Sequence, residues 1–269
     1  MPSPSKLRPI IYLHLLRTWR YKYSFANSTL NITFWIAIFI LGALLFVPEE
    51  ELPKTAPYIF WGVTLWNIIS SAVWYIAGWS IWVIVSLGLL EDHMLHNTRT
   101  LYVLAGRIVA IVVQVAMVTP LMYILVSYAT RTRFPLAIHP EYLIYGIVTI
   151  AVMAVSYGII LSAISLRTGV PGPLLDITNF LIFIIGGVAI PVALLPAPIR
   201  SIAVIIPYSH PAEVVRYGAS GLETYLPLNQ EVMLSGIIAV VMAVAAYLAY
   251  TYIEDKYVRI HGVRGVGRM

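Results

Sequence analysis

Residues Tyr58 to Leu90 form an almost unbroken apolar run of 33 residues that holds five of the chain's seven Trp. As a helix rising about 1.5 Å per residue, such a run is roughly 50 Å long. The hydrocarbon core of a bilayer is only about 30 Å thick. The run is therefore expected to cross a membrane as one stiff rod and continue into water, with Glu91, Asp92, His93 and His96 at its tip. A crossing helix that holds a polar tip clear of lipid is shaped to exchange force with a partner.

The rest of the chain shares this character. It is 60% hydrophobic and 11% charged over 269 residues, against about 25% charged in soluble domains. Apolar stretches at about Leu30–Val47, Tyr58–Leu90, Ile108–Tyr128, Leu143–Leu166, Leu174–Pro191 and Val232–Ile253 predict six membrane-spanning helices. The fifth is the weakest, because it is short and contains Gly186 and Gly187. The expected architecture is an all-α integral membrane protein with one membrane domain: residues 1–29 as an interfacial helix, 30–253 as six spans, 254–269 as a tail. With this arrangement twelve Lys and Arg fall on one side and five on the other. The positive-inside rule then puts both termini in the cytoplasm and Glu49-Glu50-Glu51 outside, in a multi-pass protein of the cell membrane. The net charge of +5 is explained by topology and does not call for nucleic acid. The chain has no Cys, which excludes disulfides and thiolate chemistry. No cleavable signal peptide is read at the start, since an amphipathic stretch precedes the first span.

That stretch covers the first 23 residues. Ile11, Tyr12, Leu15, Leu16 and Trp19 share one helical face; His14, Arg17 and Tyr21 lie opposite, with Arg20 at the border. The pattern fits a helix lying in the membrane interface, with Trp19 at headgroup depth and Arg17 and Arg20 near lipid phosphates. Packing on a partner protein is the alternative. Residues Pro191–Glu231 differ from the other loops: Pro191, Pro196, Pro198, Pro207 and Pro211 punctuate a segment that stays apolar. One short helix is expected after Pro198 and a second with His210 as cap, Pro211 at its first position and an end near Gly218. Two helices too short to span predict a re-entrant hairpin on the outer side, buried against protein or lining a path.

The residues of this hairpin resemble a known family. Gly186-Gly187-Val188-Ala189-Ile190-Pro191, Leu195-Pro196, Ile206-Pro207-Tyr208-Ser209-His210, Glu213-Val214-Val215-Arg216-Tyr217 and Gly221 follow an order similar to that in the membrane (permease) subunits of type-2 ABC exporters. The surface helix, the over-long second span and the six-span layout are similar too, although the Gly-Thr that often follows the first acid of the cytoplasmic loop is absent after Glu91. The resemblance implies a homodimer or pseudo-dimer of permeases, each bound to a separate ATPase subunit that holds ATP and Mg. It implies coupling to that subunit through Glu91, Asp92, His93, Met94, Leu95, His96, Asn97, Thr98 and Arg99, with Arg167 and Thr168 as a second contact. It marks Pro191, Pro196, Pro207, His210, Glu213, Arg216 and Gly221 as the extracellular hairpin. The implied function is export of an amphipathic substrate: a drug, a lipid or a lipid-linked glycan. The residues agree from below, since no Gly-x-x-x-x-Gly-Lys-Ser/Thr phosphate loop is present.

Other readings of these positions compete. Glu91–Thr100 can be an ordinary solvated turn, and Arg167–Asp176 a plain connector. His93 and His96, three apart, invite a metal, but a solvated pair is the expectation. Asn67, Gln114 and Ser156 sit within spans, where interhelical hydrogen bonds account for them. Gly218-Ala219-Ser220-Gly221 matches the nucleophile signature of rhomboid proteases. Those need a His on a later span, and His261 lies beyond the last one, so no catalytic or metal site and no cofactor of its own is expected. A self-sufficient channel or secondary transporter is the alternative function, weakened by the absence of a buried carboxylate or Arg expected mid-span.

Overall fold

The structure, a computed structural model, describes residues 7–44, 47–96, 98–168 and 172–258. Every regular element among the described residues is helical. In chain order they are α1 (Leu7–Arg20), α2 (Lys22–Leu44), α3 (Leu52–Ala72), a π-helical stretch (Val73–Gly78), α4 (Trp79–Ser86), α5 (Leu89–Leu95) and α6 (Thr100–Gly106). There follow α7 (Ile108–Thr130), α8 (Pro140–Thr168), α9 (Gly172–Ile185), α10 (Ala197–Ala203), α11 (Ser209–Ser220) and α12 (Leu228–Ile253), which runs into a second π-helical stretch, Glu254–Val258.

Five stretches are long and apolar enough to cross a membrane: Lys22–Gly42, Glu49–Val85, Thr100–Thr130, Pro140–Thr168 and Leu228–Lys256. The first begins at Lys22, earlier than the hydropathy pattern predicts. The fifth expected span is the 14-residue α9, about 21 Å long and too short to cross by itself. Glycines end it. Gly187 adopts φ +69°, and a Cβ there would lie 2.7 Å from Val192 Cγ2, so the chain unwinds where no other residue fits.

The second span departs from the expected rod. It is helical from Leu52, widens into the π-helical stretch Val73–Gly78, and stops at Ser86. Packing against α8 accounts for the widening. A Cβ on Gly158 would sit 2.9 Å from the Ala72 carbonyl oxygen, so α8 comes into backbone contact there. Four residues on, the Ser162 hydroxyl shares its one hydrogen between the Gly158 carbonyl of its own helix, at 2.8 Å, and the Ile76 carbonyl of the widened turn, at 3.2 Å. At the far end Gly88 takes φ +65°. The turn at Leu87–Gly88 separates Glu91 from the span and places it in α5, so a continuous rod to Leu90 is not what forms.

Helix α8 is the hub. It packs against α11 and α12 on one side and against α3 and the π-helical stretch on the other. Its Gly146 admits Val215 and the Pro211 carbonyl, which a Cβ would crowd at 2.6 and 3.1 Å. Buried around it are Phe60, Ile69, Ile76, Ile150, Met153 and Tyr208. By contrast, Ile237, Val240, Val241, Val244 and Leu248 on α12 are all more than half exposed. Their spacing puts them on one helical face, an apolar stripe that fits lipid or another subunit.

Candidate functional site

Two polar assemblies stand at opposite ends of α12. Glu231 near its start and Glu254 at its end are 23 positions apart, roughly 35 Å at about 1.5 Å per residue, close to the thickness of a bilayer core.

The first assembly lies under α10 and α11. After α9 unwinds, the carbonyls of Gly187 and Val188 have no helical partner. Arg216, on α11, donates Nη2 to both, at 2.7 and 2.6 Å. Its Nη1 donates to Glu213 Oε1 at 2.9 Å, and the same carboxylate oxygen accepts the Val192 amide at 3.0 Å. Both side chains are almost wholly buried. A buried ion pair costs several kcal/mol of desolvation per ion unless further hydrogen bonds satisfy it. Here the broken chain supplies those bonds, and the pair in turn staples the break closed. Beside it, His210 Nδ1 meets Glu231 Oε2 at 2.7 Å, and Glu231 Oε1 accepts the Leu226 amide at 3.1 Å.

These contacts revise the expected hairpin. His210 does not cap α11: the helix starts at Ser209 after Tyr208, and the imidazole turns inward to Glu231. Pro211 is tolerated in the first turn, where backbone N–H groups lack partners anyway. The helix runs past Gly218 to Ser220 and closes on Gly221, at φ +69°, whose amide donates to the Tyr217 carbonyl at 2.8 Å. Pro191 and Pro196 precede a short 3-10 turn and α10, and Pro207 separates α10 from α11. Ten of the twelve residues of α11 are buried, so this arm is core, whereas α10 keeps Ile202 exposed. Ser220, from the protease-like signature, donates its hydroxyl to the Arg216 carbonyl at 2.8 Å.

The second assembly gathers the residues expected to meet a partner. Glu91, Asp92, His93, Met94 and Leu95 lie in α5, and His96 follows in the closing turn. Asp92 holds His96 through its side chain at 3.2 Å, with both largely exposed. Thr98 donates its amide to the His93 carbonyl at 2.8 Å, and burial pushes the His93 imidazole below its usual pKa. Leu95 is 83% exposed at the tip. Arg99 precedes α6 and faces Asp255 at 3.8 Å. The α6 N-terminus lacks a side-chain cap of its own, and Glu254 supplies one from across the bundle, accepting the Thr100 amide at 3.2 Å. No local signal marks this clamp between positions 154 residues apart, which is why sequence reading missed it. Arg167 and Thr168 close α8. Asn97, residues 169–171 and His261 lie outside the described residues. Among the described residues no three His, Asp or Glu gather as a metal site.

Helix α1 does not divide as the periodicity predicts: Tyr12, Leu15, Leu16 and Trp19 are exposed, but so are Arg17 and Tyr21 of the opposite face, and only His14 of that face packs inward, against Gly106. Arg20 lies on its exposed side. The polar residues inside the spans fare differently from expectation. Ser156 bonds to its own helix at the Val152 carbonyl, and Asn67 accepts only from Ser71, one turn on in the same helix. Gln114 is fully buried with neither amide atom partnered. The interhelical bonds fall instead to Asn179 with Ser70, at 2.9 Å, and Ser162 with Ile76. No protein-family model matches the sequence, and no curated protein matches it.

Proposed function

We propose that this chain is the membrane subunit of an ATP-driven exporter, paired with a second permease and with a separate ATPase that binds ATP and Mg. The observation that carries the reading is α5, a short polar helix with an exposed apolar tip, set off from a membrane-length helix by the turn at Gly88. A solvated turn has no use for Leu95 at 83% exposure; a docking helix does. The clamp of Arg99 and Thr100 on Asp255 and Glu254 ties that tip to the end of α12, so a push on α5 reaches two spans together. The hairpin sequence, similar to that of type-2 ABC exporters, supports the same reading, as does its burial at the opposite end. In this scheme nucleotide-driven closure of the ATPases draws the two α5 helices together, and an amphipathic cargo leaves toward the hairpin side.

The test is copurification. The full chain, extracted from its own membrane, should carry ATP hydrolysis with it, and Leu95→Asp should remove both the partner and the hydrolysis without lowering yield. A chain that purifies alone and still transports would end this reading. A self-sufficient carrier is the second reading, favoured by the buried imidazole and carboxylate of the His210–Glu231 pair. Glu231→Gln separates them: it should stop ATPase-independent uptake if the carrier reading holds.

A further inference from the structure

Where α1 folds back onto α2 and α7, the structure forms an open cavity of about 740 Å³, within the roughly 300–1,000 Å³ range of ligand sites. Its charged wall is Arg17 and Arg107. Arg107 is 8% exposed, and its Nε has no hydrogen-bond partner. Arg17, on α1, brings a second guanidinium to the same cavity. Among the described residues no Asp or Glu lies within ion-pair distance of either, and none lines the cavity. The third basic residue there, His14, is held neutral: burial first, then Arg107 and Arg17, push it down to about 4. Arg107 is a buried cation whose Nε is unpartnered, which is costly, and the exposed Arg17 adds a second cation on the same cavity. An anion there removes that cost.

The remaining walls say what kind of anion. Tyr21, Ser24 and Ser28 add hydroxyls to the same cavity, and Phe25, Ile32 and Trp74 add apolar surface. A second cavity, of about 230 Å³, shares Ile32, Trp74 and Tyr75 with the first and reaches the unpartnered Gln114 amide. Gln114 lies two helical turns beyond Arg107, roughly 10 Å deeper along α7. The first cavity therefore joins two cationic forks and hydroxyls to apolar surface, and the buried amide of Gln114 lies beyond that surface, in the neighbouring cavity. A phosphate at the forks with an acyl chain along Phe25, Ile32 and Trp74 fits this arrangement. A forked guanidinium suits the two free oxygens of a phosphodiester. With no acidic residue to receive a choline or ethanolamine cation, a net-anionic headgroup fits better than a zwitterionic one.

We propose that this cavity holds one anionic phospholipid, its phosphate at Arg17 and Arg107 and an acyl chain along Phe25, Ile32 and Trp74. The site lies within one subunit and does not depend on the transport reading given above.

Native mass spectrometry of the full chain tests it, with phosphatidylglycerol, phosphatidylcholine and inorganic phosphate as probes. The wild type should retain one phosphatidylglycerol that survives gentle activation. Arg17→Gln and Arg107→Gln should each weaken its binding roughly tenfold or more, and Arg133→Gln, a cation at the other end of α7, should leave it unchanged. Phosphatidylcholine retention should be the same in all four, and inorganic phosphate should not displace the lipid. Equal phosphatidylglycerol retention by the wild type and Arg17→Gln would overturn the site. Binding of inorganic phosphate in place of the lipid would overturn the lipid assignment. Thermal unfolding separates ligand binding from a merely structural role. Without anionic lipid, Arg107→Gln should unfold no lower than the wild type, because a buried unpaired charge is gone, and it should lose the upward shift that phosphatidylglycerol gives the wild type. If Arg107→Gln unfolds lower in both conditions, the arginine is structural and the proposal fails.

Discussion

At the scale of single residues, Arg216 does two things at once: it neutralises Glu213 and holds the two carbonyls that the end of α9 leaves bare. Removing one partner of a buried pair strands the other charge. Arg216→Met should therefore destabilise the chain by about 3–5 kcal/mol, read as a fall in thermal unfolding temperature in detergent. Glu213→Gln in the same background should recover part of the loss, because the stranded carboxylate is then neutral; if it recovers none, the ion pair is not what holds the break. His14 makes a prediction in pH. Its folded value of about 4 lies below the usual 6.5, so below 6.5 the unfolded chain takes a proton that docked α1 refuses. The stability that neutral His14 allows is complete above 6.5 and is lost as pH falls from there toward 4. Hydrogen exchange over α1, corrected for intrinsic rates, should show protection declining through that window, and His14→Phe should flatten the decline.

At the scale of elements, the second span shows how neighbours decide a helix's course. The run from Tyr58 to Leu90 is uniformly apolar and reads as one helix, yet nothing in its own composition requires a π-helical stretch. The cause is on α8, where Gly158 admits the Ala72 carbonyl and Ser162 partners Ile76. Gly158→Ala should cost about 1–3 kcal/mol by overpacking, with the damage centred on the π-helical stretch in a hydrogen-exchange map. The turn into α5 rests on Gly88 at φ +65°. Gly88→Val forces that conformation on a branched side chain, a penalty of about 1–2 kcal/mol. It should re-aim α5 and, on the proposed docking of α5 to an ATPase, weaken that copurification more than it weakens the fold.

At the scale of the whole molecule, the distance along α12 links the two polar assemblies to the two faces of a membrane. The absence of Cys makes this directly testable by single-cysteine labelling. In intact cells a membrane-impermeant maleimide should label Glu50→Cys, in the turn before α3, and should reach Asp92→Cys only after permeabilisation. Labelling of both from the same side would show that the two ends do not face opposite compartments. The exposed stripe on α12 belongs to this scale too. Val241→Lys would set a charge on a face that fits lipid, at about 2.5–3.5 kcal/mol in insertion experiments, and should lower the membrane-inserted fraction.

Much of this protein is readable from residue order alone. A bilayer has one thickness and no hydrogen bonds to offer, so the apolar lengths of α2, α3, α7, α8 and α12, and the proline-punctuated segment before α11, stand out without any tertiary information. What the order could not disclose was decided by contacts between distant positions. His210 looked like a cap because capping is local, but Glu231 draws it inward. Glu254 clamps α6 from 154 residues away, and Arg17 comes to line one cavity with Arg107 only because α1 folds back onto α7. Local hydrophobicity is set by each residue's own transfer free energy. The partner of a buried charge is set by whichever neighbour the packed helices bring within reach.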